Sequence, residues 1–136
     1  MSNAAGGVQA KPTGTITRAA ARDLSDYQYH AVKFTTSNTV DYVDSSSAGP
    51  VNGVLQNAPD AANAEAEVAT EGTSLLYVDG NSNNIAIGAL LGSNSNYHGA
   101  LVTSDTAIYF AQALEASTAD GDLIEVKLLG QQTIAG

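Results

Sequence analysis

The chain carries two histidines, His30 and His98, and no cysteine. An imidazole oriented by a carboxylate can serve as a general base toward a serine hydroxyl, and serines and aspartates are common here. No G-x-S-x-G turn surrounds any serine, so none sits in the strained strand-to-helix turn which that chemistry uses. Without thiols, neither a disulfide nor a thiolate metal site can form. The phosphate-binding G-x-x-x-x-G-K-[ST], the dinucleotide pattern G-x-G-x-x-G and the zinc-protease pattern H-E-x-x-H are also absent. The two histidines therefore read as surface or hydrogen-bonded residues. No catalytic or cofactor-binding residue is assigned, no cofactor is expected, and the chain is expected not to be an enzyme.

Hard cations need convergent oxygens, and two segments offer them. Asp79-Gly80-Asn81-Ser82-Asn83 opens like a calcium loop, D-x-N-x-N. That loop needs Gly at its sixth position and a bidentate Glu at its twelfth. Asn84 and Leu90 stand there, so the segment reads as a turn rich in asparagine. Asp120-Gly121-Asp122 reads as a hairpin turn for a similar reason, since Asp caps its own turn and Gly accepts positive φ. No metal ligand is assigned.

The elements that carry these residues are short and β-like. Ala113–Gly130 holds an apolar pair, the Asp-Gly turn, and a run in which Ile124, Val126 and Leu128 alternate with Glu125 and Lys127. This is the pattern of a half-buried strand. Thr73–Asp79 is the clearest strand, set off by a turn at Gly72. Strands are also predicted over Tyr27–Phe34, Thr39–Val43, Val51–Leu55, Ala64–Ala69, Leu101–Thr103 and Ala107–Leu114. Ile85–Leu91 fits either a strand or one helical turn, and Arg18–Leu24 has helical propensity over a short span. Many short strands between turn clusters predict an all-β fold, a compact antiparallel barrel or sandwich. Residues 1–17, poor in bulky apolar side chains, read as an extended flexible arm. The domain division expected is residues 1–26 as an N-terminal arm and residues 27–136 as the β-rich body.

Composition narrows the function. At 136 residues one domain is the natural expectation. The hydrophobic fraction of 43% suffices for a core, but much of it is alanine, tryptophan is absent and aromatics make up 6%. Such a core suits tight β packing better than a deep ligand cavity. A net charge of −9 argues against binding nucleic acid. No apolar run approaches the ~20 residues of a membrane-spanning helix. Met1–Gly7 lacks the basic and apolar regions of a secretory signal, so neither a membrane segment nor a signal is expected. The charge is uneven: residues 1–33 hold four cations and two acids, net +2, and the remainder holds one lysine and twelve acids, net −11. Lys11, Arg18 and Arg22 are the candidate contacts of a basic-leaning arm with an acidic partner surface, the two arginines leading because a guanidinium can hold a carboxylate bidentately.

An internal echo runs through the chain. Gly53-Val54-Leu55 leads through an Ala-rich connection to Ala64–Ala69, and Ala113-Leu114 leads through a similar connection to the strand around Val126. Leu55 to Val68 spans 13 positions and Leu114 to Val126 spans 12. The two halves read as copies of one strand–loop–strand unit.

Three stretches resemble the small decoration, or head cement, proteins of tailed-phage capsids. They are Gly53-Val54-Leu55, Gly99-Ala100-Leu101-Val102-Thr103-Ser104-Asp105 with Val102 as an extra residue, and Ala113-Leu114-Glu115-Ala116 followed by Gly121-Asp122-Leu123-Ile124-Glu125-Val126. The similarity covers roughly residues 50–130 and leaves the N-terminal third unmatched. The resemblance implies a β-barrel-like domain on the outer surface of the capsid, often a trimer. It implies binding to the major capsid protein and stabilisation of the shell, and it assigns no contact residue. The alternative is a carbohydrate- or receptor-binding β-module of a phage or cell surface, to which Asn/Ser-rich loops and tyrosines would suit.

Overall fold

The structure, a computed structural model, describes residues 10–43, 51–94, 97–102 and 108–133. Among them there is no helix. Nine strands follow one another: β1 (Pro12–Ala20), β2 (Ala31–Phe34), β3 (Thr39–Tyr42), β4 (Gly53–Leu55), β5 (Glu65–Asp79), β6 (Leu90–Ser93), β7 (Gly99–Leu101), β8 (Ile108–Ala113) and β9 (Asp120–Thr133).

Their pairings close into two rings. In the first, β1 pairs with β3, β3 with β2, β2 with β4, β4 with β5, and β5 returns to β1. In the second, β5 pairs with β7, β7 with β6, β6 with β8, β8 with β9, and β9 returns to β5. The long strand β5 belongs to both. Its first half, through Gly72, pairs with β1, and its second half, from Thr73, pairs with β9. The expected all-β class holds, but the sheet is mixed. The pairs β1–β3 and β5–β7 are parallel, and neither is joined by a hairpin, which parallel strands cannot use.

The two rings share one wiring diagram, and the repeat suspected in the sequence is visible in its hydrogen bonds. The register differs by one from the sequence alignment: Leu55 pairs with Val68 and Ala113, not Leu114, with Val126, so the spacing is the same in both. Tyr29 N–H donates to Leu55 O and Leu55 N–H to His30 O; Gly88 N–H donates to Ala113 O and Ala113 N–H to Ala89 O. Asn38 N–H donates to Thr35 O, as Tyr97 N–H does to Asn94 O. The backbone takes positive φ at Tyr29, Asn38, Asn63 and Gly72 in the first ring, and at Gly88, Tyr97, Gly121 and Gly130 in the second, at corresponding places.

Gly72, expected to be a turn, is a bend inside one continuous strand. Its φ of 87° and the close approach of Lys11 O and Thr13 N leave no room for a side chain. There β5 passes from one ring to the other. Tyr27–His30, expected as strand, form turns before β2, with the Tyr29 backbone left-handed at 63°. Arg18–Leu24 forms the end of β1 and the turn after it.

The division at residue 26 is corrected for residues 12–26. Pro12–Ala20 is a ring strand, hydrogen-bonded to β5 on one side and to β3 on the other. Its sparse apolar content hid this, although Thr13, Thr15 and Thr17 are β-formers whose backbone is satisfied by pairing. Residues 1–9 lie outside the described residues, as do Thr103, Ser104 and Asp105 of the middle resemblance stretch.

Burial follows the rings. Leu24, Val32, Val40, Leu55, Ala66 and Val68 form the first core, with Ala20. Leu76, Val78, Ile85, Leu91, Phe110, Ile124 and Val126 centre the second. Burying each Val, Leu or Ile contributes about 1.5–3 kcal/mol. The second core continues onto the outer wall of the first ring through Ala31, Val43, Val51, Val54 and Ala69. The rings are therefore joined by apolar packing as well as by β5. Small residues suit this wall because the strands approach closely: a Cβ built on Gly53 would clash with the Ala69 carbonyl oxygen.

Candidate functional site

The chemistry-bearing side chains gather at the joint between the rings. Tyr27 and His30 come from the turns before β2, and Tyr42 ends β3. Tyr77 lies on the shared strand, and Tyr97 and His98 precede β7. Tyr27 stacks on Tyr42 with ring centroids 5.1 Å apart, and Tyr97 meets both edge-on at 5.3 and 5.0 Å. His30 lies 5.5 Å from His98 and 5.2 Å from Tyr77. These edge-on and offset contacts add about 0.5–1.5 kcal/mol per pair beyond burial. They tie the two rings together at side-chain level. Spread over seventy residues of sequence, the six rings gave no local signal. Only their half-apolar, half-polar character hinted at a joint.

The two histidines differ. His30 is buried, and its Nδ1 lies 3.0 Å from Gln28 O, to which the neutral imidazole donates. Burial pushes its pKa below the usual histidine value. His98 Nδ1 lies 2.7 Å from Asp120 Oδ1. Among the described residues no serine oxygen is a partner of either ring, so the acyl-transfer arrangement weighed from sequence is not assembled here. Burial raises the Tyr27 pKa, helped by the neighbouring Tyr97 and Tyr42 hydroxyls.

The carboxylates proposed as turn residues are engaged locally. Asp79 Oδ1 accepts from Asn81 N–H at 3.0 Å and Ser82 N–H at 3.1 Å, and Oδ2 accepts from Ser82 Oγ at 2.8 Å. These donors favour the charged form and lower its pKa. Asp122 accepts from Ser117 Oγ at 2.8 Å while Asp120 faces His98, so the two acids do not converge. Among the described residues no three His, Asp or Glu side chains are placed to hold a metal ion.

The three cations singled out from sequence lie along or beside β1. Lys11 is exposed just before it, with its backbone N–H donating to Thr73 Oγ1 at 2.7 Å. The Arg18 guanidinium lies 4.7 Å from the Phe34 ring centroid and donates to Asn38 Oδ1 at 3.2 Å. Arg22 pairs with Asp41 at 2.9 Å and covers the Tyr42 ring at 4.9 Å. The hydrogen bond and charge of Asp41 raise the Arg22 pKa. Both arginines thus brace the first ring, which sequence reasoning did not foresee.

No known family matches the chain, and no curated protein matches it in sequence. Its fold is similar to that of the head fiber gp8.5 N base of bacteriophage phi29, at a TM-score of 0.61 and 13% sequence identity, over 85% of this chain and 93% of that one. The likeness is one of fold.

Proposed function

We propose that this chain is a structural protein of a phage head, seated on the outer surface of the capsid, where it binds the major capsid protein and stabilises the shell. The observation that carries this reading is the likeness in fold to the base of a phage head fiber over most of both chains. The physical character of the molecule supports it. Two closed rings pair most strands on both sides, Tyr27, Tyr42 and Tyr97 pack against one another, and Asp23, Asp79 and Asp122 are engaged by neighbouring hydroxyls and amides. A rigid body presented in many copies gains by multivalency, so each attachment can be weak. Tyr27, Tyr42, Tyr77 and Tyr97 pack against other rings instead of forming the open aromatic platform that a glycan-binding module would use.

Attachment is assigned to the side of the first ring that carries Lys11, Arg18 and Arg22. Arg18 and Arg22 are already ordered by Phe34, Tyr42 and Asp41, so they would meet an acidic capsid surface with little further loss of side-chain entropy. The test is cosedimentation with capsids that lack the protein, followed by electron cryomicroscopy. The wild type is expected to decorate them, and K11E/R18E is expected to lose decoration while circular dichroism shows it folded, its melting temperature lowered only by the loss of the Arg18 contacts with Phe34 and Asn38. A wild type that leaves purified heads bare sinks the reading.

A further inference from the structure

The inference begins from the wall of the first ring that the second ring covers. Gln28 Nε2 donates to Gln56 O at 2.9 Å, Gln56 Nε2 donates to Ser74 Oγ at 2.9 Å, and Tyr77 N–H donates to Tyr29 O at 3.0 Å. The repeat gives each of these residues a counterpart one ring further on. Gly88 stands for Tyr29 and Ala113 for Leu55, so Ile87 stands for Gln28 and Leu114 for Gln56. On the other partner, Ile16 pairs with Val68 as Ser74 pairs with Val126, so Ile16 stands for Ser74.

Ile16, Ile87 and Leu114 are the exposed large hydrophobic residues of the described chain, at 37%, 71% and 38%. All three fall at counterparts of the internal joint. The Gln56–Ser74 contact, repeated between molecules, becomes a contact of Leu114 with Ile16. Two apolar side chains stand in water where the internal joint uses a polar pair.

Among the described residues, the strands also leave a place for a second molecule. Beyond Gly72, β5 leaves the first ring and becomes the opening strand of the second. Beyond Gly130, β9 stays on β8, pairing Gln132 with Tyr109 and Thr133 with Ile108. No described strand fills the place that β5 takes in the internal joint, and the β1 of another copy matches it by the repeat.

We propose that this protein associates head to tail. The second-ring wall bearing Ile87 and Leu114 docks on the end of the first ring bearing Ile16 in a second copy, repeating the contact already made inside each chain. Lys127 pairs with Gln112 and Thr73 on the same second-ring strands, in the place where the first ring buries Ala69. The contact is therefore partly polar, as reversible interfaces are. Because the two patches differ, the contact is heterologous. It closes into a ring where the rotation allows, a trimer among them, and otherwise extends as a filament. This inference does not depend on attachment to a capsid.

The test uses purified full-length protein without capsids. Sedimentation velocity over a concentration series should show wild-type mass rising with concentration. Leu114→Gln and Ile16→Gln keep the net charge, and each alone should associate about tenfold more weakly or worse. Mixed together they keep one intact patch each, so the mixture should form a one-to-one dimer and stop. Unchanged circular dichroism and melting temperature exclude misfolding. Since the chain has no cysteine, Ile16→Cys mixed with Leu114→Cys should cross-link faster on oxidation than either alone. A wild type that stays monomeric, or variants that associate like wild type, overturn the proposal. A mixture that fails to dimerise also overturns it, since it points to a symmetric contact or none.

Discussion

The two rings run the same circuit with different side chains. At the left-handed positions the first ring uses Tyr29, Asn38, Asn63 and Gly72, and the second uses Gly88, Tyr97, Gly121 and Gly130. Only the last position is glycine in both. On the outer wall the first ring places Tyr27, His30 and Tyr42, whose counterparts are Ala86, Ala89 and Leu101. The hydrogen-bonded frame therefore persists through turn geometry and register, while the side chains follow what each wall must face. The first wall faces the second ring and sets aromatic rings beside its small aliphatic residues. The second faces away and is small or aliphatic.

The strongest challenge to this symmetry is to remove a strand from one ring only. A chain beginning at Tyr27 lacks β1, which is paired on both sides. The first ring is expected to lose its cooperative thermal transition, as followed by circular dichroism. A truncated chain that melts like the full one would mean that β1 is an appendage after all.

A gentler probe exchanges small residues at matched positions. Gly53 and Ala111 face Val32 and Leu91 respectively in corresponding pairs. Gly53→Ala drives a methyl into the Ala69 carbonyl and is expected to cost about 1–3 kcal/mol in urea unfolding. The reverse change, Ala111→Gly, is expected to cost about 1 kcal/mol. Equal costs would mean that the two walls are not packed as differently as they look.

How much of this was legible beforehand depended on how local the cause was. Thr73–Asp79 and Leu123–Leu128 showed their alternation openly, and the strand–loop–strand echo around Leu55 and Val68 was real. Pro12–Ala20 was hidden because its threonines and glycine bury little, and its order comes from β3 and β5, distant in sequence. The parallel pairs were hidden for the same reason, since no hairpin turn announces them. At the joint, the histidines were rightly read as hydrogen-bonded residues. The tyrosines that surround them converge only through the closure of both rings.

Acid should act on the joint through His30. The unfolded His30 imidazole titrates near 6.5 and the folded one lower. Between the two values the unfolded chain binds more protons, so stability present above about pH 6.5 is lost as pH falls through that window. Protonated His30 would lie buried against His98, Tyr27 and Tyr77, and the backbone hydrogen bonds with Gln28 and Tyr27 offset only part of the cost of burying its charge. The melting temperature of the wild type is expected to drop between pH 7 and pH 5.5, and that of His30→Gln to drop less. Parallel curves would place the acid sensitivity elsewhere.

The smallest effect tests the left-handed turns. Asn63 and Gly121 hold corresponding positive-φ sites. Asn63→Gly and Gly121→Asn are each expected to shift stability by no more than about 0.5 kcal/mol, since both residues tolerate this region. A larger loss at one site would show that its side chain does more than allow the turn.

The sharing of β5 also sets an order of events on the ribosome. By Gly72 every strand of the first ring has been made, and that ring can close. The stretch from Thr73 onward then extends from a finished fold with its future partner β9 still unmade. At ordinary elongation speeds that partner arrives roughly 3–12 s later. During that interval the nascent chain carries an unpaired strand edge beside the bare wall of Ala31, Val43, Val54 and Ala69. Neighbouring nascent chains on one message would hold the same edge at the same stage, so polysomes are where mispairing of this protein should begin.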